Sequence, residues 1–263
     1  MVVSGGAARC KTAFNWYRAS EKLVAFSGDL ISPSLMSSYF EGEQMLMSFN
    51  ELAPDVSMIG NHELDFGPER GEELLKQTNS PWLCTNLRSI KENRPLLGCL
   101  EYYIKECQGF KIGFLGLCEE EWLGLLNPKN DRDDIQYLDY NQTLKKYSKF
   151  LKEEKGCDLV ITLTHMRMPR DEDLAEKNDT SVVDLVLGGH DHFYGMFLNK
   201  QTGIFTSKSG TDFEHFTNLT VLFGVSQAEY LKFVTVFGAK LKFANMVPLQ
   251  KNNDYRVEYS AST

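Results

Sequence analysis

The chain has 263 residues, of which 42% are apolar and 24% charged, and its formal net charge is −8. This length and composition predict a single α/β domain over residues 1–263 with a sizeable buried core, and argue against a second full domain. The acidic balance argues against a nucleic-acid polymer as partner, because neutralising a phosphate backbone requires clustered cations; small anions remain possible where a bound metal reverses the local charge.

The first predicted elements are two strands separated by a helix. The apolar run at residues 23–26 predicts a buried strand that ends shortly before Asp29. The apolar run at residues 56–59 predicts a parallel strand that ends shortly before Asn61. Between them a helix is predicted to begin near Pro33 and to place six apolar side chains on one side, namely Leu35, Met36, Tyr39, Met45, Leu46 and Phe49.

The rest of the chain continues this alternation. The next predicted elements are a helix at 69–77, a strand at 82–85, a hairpin of strands 102–106 and 110–116, and a helix at 141–154. Two apolar strands follow, the first ending at His165 and the second, residues 183–187, ending before a Gly-Gly-His-Asp-His loop. The remaining pattern predicts antiparallel strands at 203–207, 219–225 and 230–241.

Four of these strands end beside residues that can bind a metal, namely Asp29, Asn61, His165 and the pair His190 and His192. Because ligands collect outside the carboxyl ends of strands in open α/β sheets, we expect these side chains to meet in one site. Carboxylate, amide and imidazole ligands without thiolates favour divalent ions such as Mn²⁺, Zn²⁺ or Fe²⁺. Two such ions about 4 Å apart would bind a phosphate and activate a water molecule.

The order of the motifs resembles that of the calcineurin-like metallophosphoesterases, which carry Gly-Asp, Gly-Asn-His-Glu, a lone His after a strand, and then Gly-His-x-His. Four further stretches are similar to the 5'-nucleotidase branch of this family, at residues 5–9, 32–35, 65–67 and 209–213. The resemblance covers residues 5–223. It implies a β-sandwich flanked by helices, an αββα arrangement, and hydrolysis of phosphoester bonds.

The resemblance also implies a ligand set for two divalent ions, which could be Mn²⁺, Zn²⁺, Fe²⁺ or Mg²⁺. Asp29 would be the carboxylate that bridges both ions. Asn61, His165 and His190 would complete the shell of one ion, and His192 would bind the other.

Three other residues take roles from the resemblance. His62 matches the family's catalytic histidine, which binds no metal and donates to the phosphoryl oxygens or to the leaving group. Asp65 matches the carboxylate that orients this histidine. Arg9 is a candidate phosphate contact, although an arginine at the start of a helix is more often a surface residue.

One motif of the family has no counterpart here. In the family, Asp-x-His at the end of the first strand lies upstream of residues 5–9, whereas no Asp or His precedes Asp29 in this chain. We therefore expect a chain truncated at its N terminus that lacks the first strand, leaves the neighbouring strand unpaired and binds only one ion tightly. The second domain of the branch, which stacks on the base, is also expected to be missing.

Two functions of different classes fit these patterns. The first is a metal-dependent phosphoester hydrolase that acts on nucleotides or related phosphomonoesters by a two-metal mechanism, which the truncation could impair. The alternative is a non-catalytic metal-binding or interaction protein derived from the same fold. The substrate stays open among 5'-mononucleotides, 2',3'-cyclic nucleotides and other phosphoesters, and the oligomeric state is open as well.

The remaining polar and sulfur-containing residues suggest structural roles. The six cysteines show no CxxC spacing, which favours reduced core thiols, although an even number also permits disulfides. His215 is predicted to be structural, and Glu119 is predicted to lie in an exposed turn. No run approaches the roughly 20 apolar residues that span a bilayer, and residues 1–6 lack the features of a signal peptide, so we expect a cytoplasmic protein without membrane contact.

Overall fold

The computed structural model describes residues 6–16, 22–126, 130–223, 232–239 and 255–259. The helices in these ranges are α1 Ala7–Trp16, α2 Ser37–Phe40, α3 Leu46–Leu52, α4 Pro68–Lys76, α5 Trp122–Leu125, α6 Tyr140–Lys149 and α7 Met168–Lys177. Helix α6 continues into a π-helical segment, Phe150–Glu154. Short 3-10 turns lie at Glu43–Met45, Asn61–Leu64, Leu96–Gly98 and Arg132–Asp134. None of the described helices combines the length and hydropathy needed to cross a bilayer.

The strands form two large sheets and one small one. Their bounds are β1 Lys22–Phe26, β2 Val56–Met58, β3 Trp82–Leu83, β4 Leu87–Ser89, β5 Arg94–Pro95, β6 Tyr103–Cys107, β7 Phe110–Cys118, β8 Ile135–Tyr137, β9 Leu159–His165, β10 Leu185–Gly188, β11 Tyr194–Leu198, β12 Phe205–Ser209, β13 His215–Phe223, β14 Lys232–Ala239 and β15 Tyr255–Tyr259. The first sheet has the order β15-β13-β14-β1-β2-β3 and the second the order β11-β12-β10-β9-β7-β6. The small sheet has the order β5-β4-β8.

The main apolar core lies between the two large sheets. Ala25 and Met58 of the first sheet pack in one cluster with Phe114 and Ile161 of the second. Successive strand residues point to opposite faces, so the neighbours of these residues face outward and are covered by helices. Leu144 of α6 and Leu174 of α7 cover the second sheet, while α1, α3 and α4 cover the first. The architecture is therefore two sheets between layers of helices, as predicted.

The helix predicted from Pro33 is interrupted at Glu41 and Gly42, which adopt left-handed backbone angles, with φ of 48° and 91°, and separate α2 from the 3-10 turn and α3 that follow. Left-handed residues end a helix, so the 3.6-residue period does not continue across this point. The predicted apolar face is consequently wrong for Leu35, Met36 and Tyr39, which are 91%, 56% and 82% exposed.

The expected unpaired neighbour of a missing strand is not found. Strand β1 pairs on both sides, with β2 and, over the register Lys22↔Phe233 to Ala25↔Val236, with β14. β14 was predicted to be antiparallel, and it is antiparallel to β13 but parallel to β1. β12 likewise pairs antiparallel with β11 and parallel with β10. Local patterns carry no information on such mixed pairing, because the partners are distant in sequence.

All six cysteines are buried and free, which confirms the prediction of reduced core thiols. Burial raises the pKa of the Cys10 thiol and that of the Cys84 thiol to about 12. Because the thiolate is the reactive form, these groups behave as small apolar side chains at neutral pH.

Candidate metal centre

The carboxyl ends of β1, β2, β9 and β10 meet at one edge of the sandwich. Asp29, His165 and His190 line a cavity of about 420 Å³ at this edge, together with His192 and the segment from Leu30 to Ser34. The ligand atoms of Asp29, His165 and His190 all lie within 4.8 Å of one another. The structure thus brings together three residues at or just after the carboxyl ends of three different strands, where the sequence predicted them.

The polar atoms in this group suit a cation. Nε2 of His165 lies 2.9 Å from Oδ2 of Asp29 but forms no hydrogen bond of normal geometry. Oδ1 of Asn61 is also buried without a hydrogen-bond partner. Buried polar atoms without partners are uncommon and require an explanation, which an ion would provide here. One carboxylate, one amide oxygen and two imidazoles fit a first-row divalent ion.

His165 is held so that its Nε2 can act as a ligand. Its Nδ1 lies 2.5 Å from the carbonyl oxygen of Ser27 and donates to it, so that Nε2 carries no proton when the imidazole is neutral. The Trp122 indole donates to the carbonyl oxygen of His165 at 3.0 Å and packs edge-on against its ring. Trp122 is fully buried, and no motif had indicated its role.

Asp29 has left-handed backbone angles, with φ of 63°, which a non-glycine residue rarely adopts. The fully buried carboxylate of Glu63 stabilises this turn by accepting the backbone N–H of Asp29 at 2.9 Å and that of Leu30 at 2.5 Å. Burial raises the pKa of Glu63, and the charge of Asp29 adds to the effect. Glu63 lies within a recognised motif, but the sequence indicated no role for it.

The neighbouring residues His165 and His62 stabilise the ionised form of Asp29. Burial alone would raise the pKa of Asp29, but the adjacent imidazole of His165, and then the imidazole and backbone N–H of His62, outweigh burial and lower it. Burial alone would likewise lower the pKa of His165, which the carboxylate of Asp29 raises instead. The pair therefore favours an ionised carboxylate, the form that binds metals.

Gly60 allows the two loops to approach closely. A Cβ atom at this position would lie 2.6 Å from the backbone nitrogen of Asp29 and 2.7 Å from Cε1 of His165. Both distances are far below van der Waals contact, so a side chain here would displace two candidate ligands at once.

We expect Gly60→Ala to weaken Mn²⁺ binding at least about tenfold and to lower the free energy of unfolding by about 1–3 kcal/mol, because the Asp29 and His165 loops must separate. Titration calorimetry with Mn²⁺ and chemical denaturation measure the two effects. Gly124→Ala is the control, since a Cβ there meets no atom within 4 Å. Wild-type Mn²⁺ affinity in Gly60→Ala would contradict the geometry of the centre.

Glu119 is buried, so the prediction of an exposed turn is wrong for it. β7 pairs with β9 as far as Cys118 opposite His165, which brings Glu119 next to Arg167. Its carboxylate accepts Nε of Arg167 at 2.6 Å and lies 3.4 Å from Nε2 of His190. Burial alone would raise its pKa, but hydrogen bonds from His190 and Arg167 lower it to about 2. Glu119 is therefore a buried, ionised carboxylate in contact with His190, a candidate ligand.

His62 and Asp65 form a pair beside the candidate metal ligands. Nδ1 of His62 lies 2.7 Å from Oδ2 of Asp65, and the backbone N–H of His62 donates to Oδ1 of Asp29 at 3.0 Å. The hydrogen bond to Asp65 raises the pKa of His62 more than burial lowers it. Both side chains are 30% exposed, so the imidazole remains accessible.

The other sequence-predicted residues lie outside the ligand group. His192 lines the cavity but is exposed, and its role as a ligand stays a prediction. Arg9 is exposed on α1 and does not line the cavity, so its phosphate contact also stays a prediction. His215 stacks on Tyr194 with ring centroids 4.4 Å apart, in keeping with a structural role.

The chain is similar to proteins of known sequence and structure. Residues 3–194 match the family described as Calcineurin-like phosphoesterase. Snake venom 5'-nucleotidase from Gloydius brevicauda is 32% identical over 193 residues, which are 71% of this chain and 32% of the venom protein. Apyrase from Tabanus yao is 30% identical over 145 residues, which are 55% of this chain and 25% of the apyrase.

A solved structure, the NAD nucleotidase of Haemophilus influenzae, shares the fold with a TM-score of 0.69 at 21% identity, over 88% of this chain and 43% of that one. The chain matches about a third or less of the length of the two curated relatives. The predicted αββα fold and the predicted family are both confirmed. Because the family match covers well over half of the sequence, the chain belongs to the calcineurin-like phosphoesterase family.

Proposed function

We propose that the chain is a metal-dependent phosphoester hydrolase that acts on nucleotides or related phosphomonoesters. The observation that carries this proposal is the convergence of Asp29, His165 and His190 beside the buried, unpartnered Oδ1 of Asn61. Family membership supports the reaction class, since phosphoester hydrolysis is the activity that gives the family its name.

The residues that would hold a divalent ion are Asp29, Asn61, His165 and His190. Such an ion supplies positive charge that stabilises the phosphoryl oxygens and makes water nucleophilic near neutral pH. Mn²⁺, Zn²⁺, Fe²⁺ and Mg²⁺ remain candidates, because nitrogen and oxygen ligands accept several first-row ions. Among the described residues, His192 is the remaining predicted ligand, so we propose one tightly bound ion and a weaker second one.

His62 is proposed to act as the proton donor. Asp65 raises its pKa and holds Nδ1, which leaves Nε2 as the atom that can reach substrate. A protonated imidazole stabilises charge that develops on the phosphoryl group and can give its proton to the departing alcohol. The backbone contact between His62 and Asp29 keeps this donor next to the ligand group.

The nucleotide part of the proposal rests on the relatives. Their names include a 5'-nucleotidase, an apyrase and a 2',3'-cyclic-nucleotide 2'-phosphodiesterase/3'-nucleotidase. A cavity of about 420 Å³ next to the ligands offers room for a phosphate and part of its alcohol. Adenosine monophosphate and an aryl phosphate are therefore suitable first substrates.

The test compares the full chain after chelator treatment with the same protein after Mn²⁺ is added back. We expect about one metal ion per chain by elemental analysis, and phosphate release that returns with Mn²⁺, because the ion supplies the charge that the reaction needs. Tight Mn²⁺ binding without hydrolysis of any substrate would instead support the alternative, a non-catalytic metal-binding or interaction protein. Hydrolysis that survives complete metal removal would contradict both.

A further inference from the structure

A lysine that no motif or proposed step uses is buried next to the metal ligands. Lys208, on β12, is 1% exposed, and its Nζ lies among four oxygen atoms. These are the carbonyl oxygens of Met166 at 2.6 Å and Gly189 at 2.8 Å, Oδ1 of Asp191 at 2.7 Å and Oδ2 of Asp171 at 3.0 Å. Lysine is almost never fully buried unless it is paired, so this cluster requires an explanation.

The partners of Lys208 belong to the loops that carry two ligands. Met166 directly follows His165, Gly189 directly precedes His190, and Asp191 directly follows His190. The ammonium group therefore contacts the backbone beside both imidazole ligands. The second carboxylate oxygen of Asp191 accepts the backbone N–H of Met168 at 2.7 Å, which ties the two loops together once more.

The sheet register explains why a lysine can occupy this position. β12 runs parallel to β10 with Lys208 opposite Gly188. A Cβ atom on Gly188 would lie 2.9 Å from Cε of Lys208, so the glycine provides the space that the lysine stem crosses. Asp171, on α7, is fully buried behind the ammonium and holds it from the helical side.

We propose that Lys208 is a positioning residue that holds the His165 and His190 loops at the separation that metal binding requires. The inference rests on the proposed function, because it concerns the same metal centre. It assigns Lys208 no contact with the metal or with substrate. Its role is comparable to that of residues outside the ligand shell that orient the ligands of other metal sites.

Electrostatics and positioning predict opposite effects when the charge of Lys208 is removed. A positive charge beside a cation site repels the cation, so Coulomb's law alone predicts tighter metal binding without it. Loss of the link between the loops predicts weaker binding, because the two imidazoles are then no longer held in place. The sign of the change in affinity therefore distinguishes the two roles.

The experiment measures Mn²⁺ affinity of the full chain by titration calorimetry after chelator treatment. We expect Lys208→Met to bind Mn²⁺ about 10- to 100-fold more weakly than the wild type, the range found for residues that orient ligands. Unchanged or tighter binding would overturn the proposal. If Lys208→Met does not fold cooperatively, Lys208→Gln tests the same sign, because its shorter, neutral side chain offers two donors where the ammonium contacts four oxygen atoms and so weakens the link between the loops.

Lys152→Met is the matched control. Nζ of Lys152 lies 3.1 Å from Oδ2 of the buried Asp184, which precedes β10 at the opposite end from the ligands. Removal of the Lys152 ammonium should lower the free energy of unfolding without a change in Mn²⁺ affinity. An equal loss of Mn²⁺ affinity in Lys152→Met and Lys208→Met would show that Lys208 acts only through stability.

Two results with the wild type separate the proposals. Absence of Mn²⁺ binding would overturn the metal centre itself, whereas Mn²⁺ binding without hydrolysis would overturn only the proposed function.

Discussion

Replacing Asp29 by alanine should remove the metal from the protein almost completely, to below about 0.1 ion per chain. Asp29 is the carboxylate of the candidate ligand group, and the other candidate ligands, Asn61, His165 and His190, are neutral when they bind a metal. Without its charge, the candidate ligand group contributes no negative charge of its own to offset the cost of dehydrating a divalent ion. Elemental analysis after gel filtration measures the result.

The control for Asp29→Ala is Asp133→Ala. Asp133 is an exposed aspartate in the turn Arg132–Asp134, outside the ligand group. This variant should keep the metal content of the wild type, and circular dichroism should show that both variants retain their secondary structure. A full metal complement in Asp29→Ala would rule out the assignment of Asp29 as the central ligand.

Replacing His62 by asparagine should lower turnover by about 10²-fold or more and leave the metal content near that of the wild type. The physical reason is that the imidazole is held by Asp65 at 2.7 Å but does not belong to the ligand group of the described residues. The substitution removes a proton donor and leaves the metal ligands in place. Steady-state kinetics with an aryl phosphate and elemental analysis test the two halves of this prediction.

His215→Asn is the matched substitution outside the site. His215 stacks on Tyr194, and its ring is not in the ligand group. We expect this variant to retain turnover within a few-fold of the wild type, because it removes no group that acts in the reaction. If His62→Asn loses its metal together with its activity, His62 supports metal binding and the assignment as proton donor is wrong.

Much of the candidate centre could be predicted from the sequence because its signals are local. A buried strand is marked by a short apolar run, and the residue that follows the run lies at the carboxyl edge of the sheet. Asp29, His165 and His190 each follow or end such a run, and the structure places their ligand atoms within 4.8 Å. Asp65 follows His62 by three residues, so their hydrogen bond is local as well.

The prediction of one helix from Pro33 was wrong for a reason that is also local, but the sequence signal for the break is weak. The left-handed angles at Glu41 and Gly42 end α2, and the apolar residues before them do not face the core. Apolar periodicity alone therefore gave the wrong face, because it assumes an uninterrupted helix. The pairing of β14 beside β1 was missed because periodicity does not report strand order.

The family, the alternation of strands and helices, and a set of candidate ligands at the strand ends could all be predicted from the sequence alone, since each depends on residues close together in the chain. The charged groups that contact these candidate ligands and their neighbours become visible in the tertiary structure alone. Glu119 meets Arg167 and His190, and Lys208 meets Met166, across long stretches of chain. Such contacts arise because parallel strands place distant residues side by side, and burial then requires each charged group to find a partner.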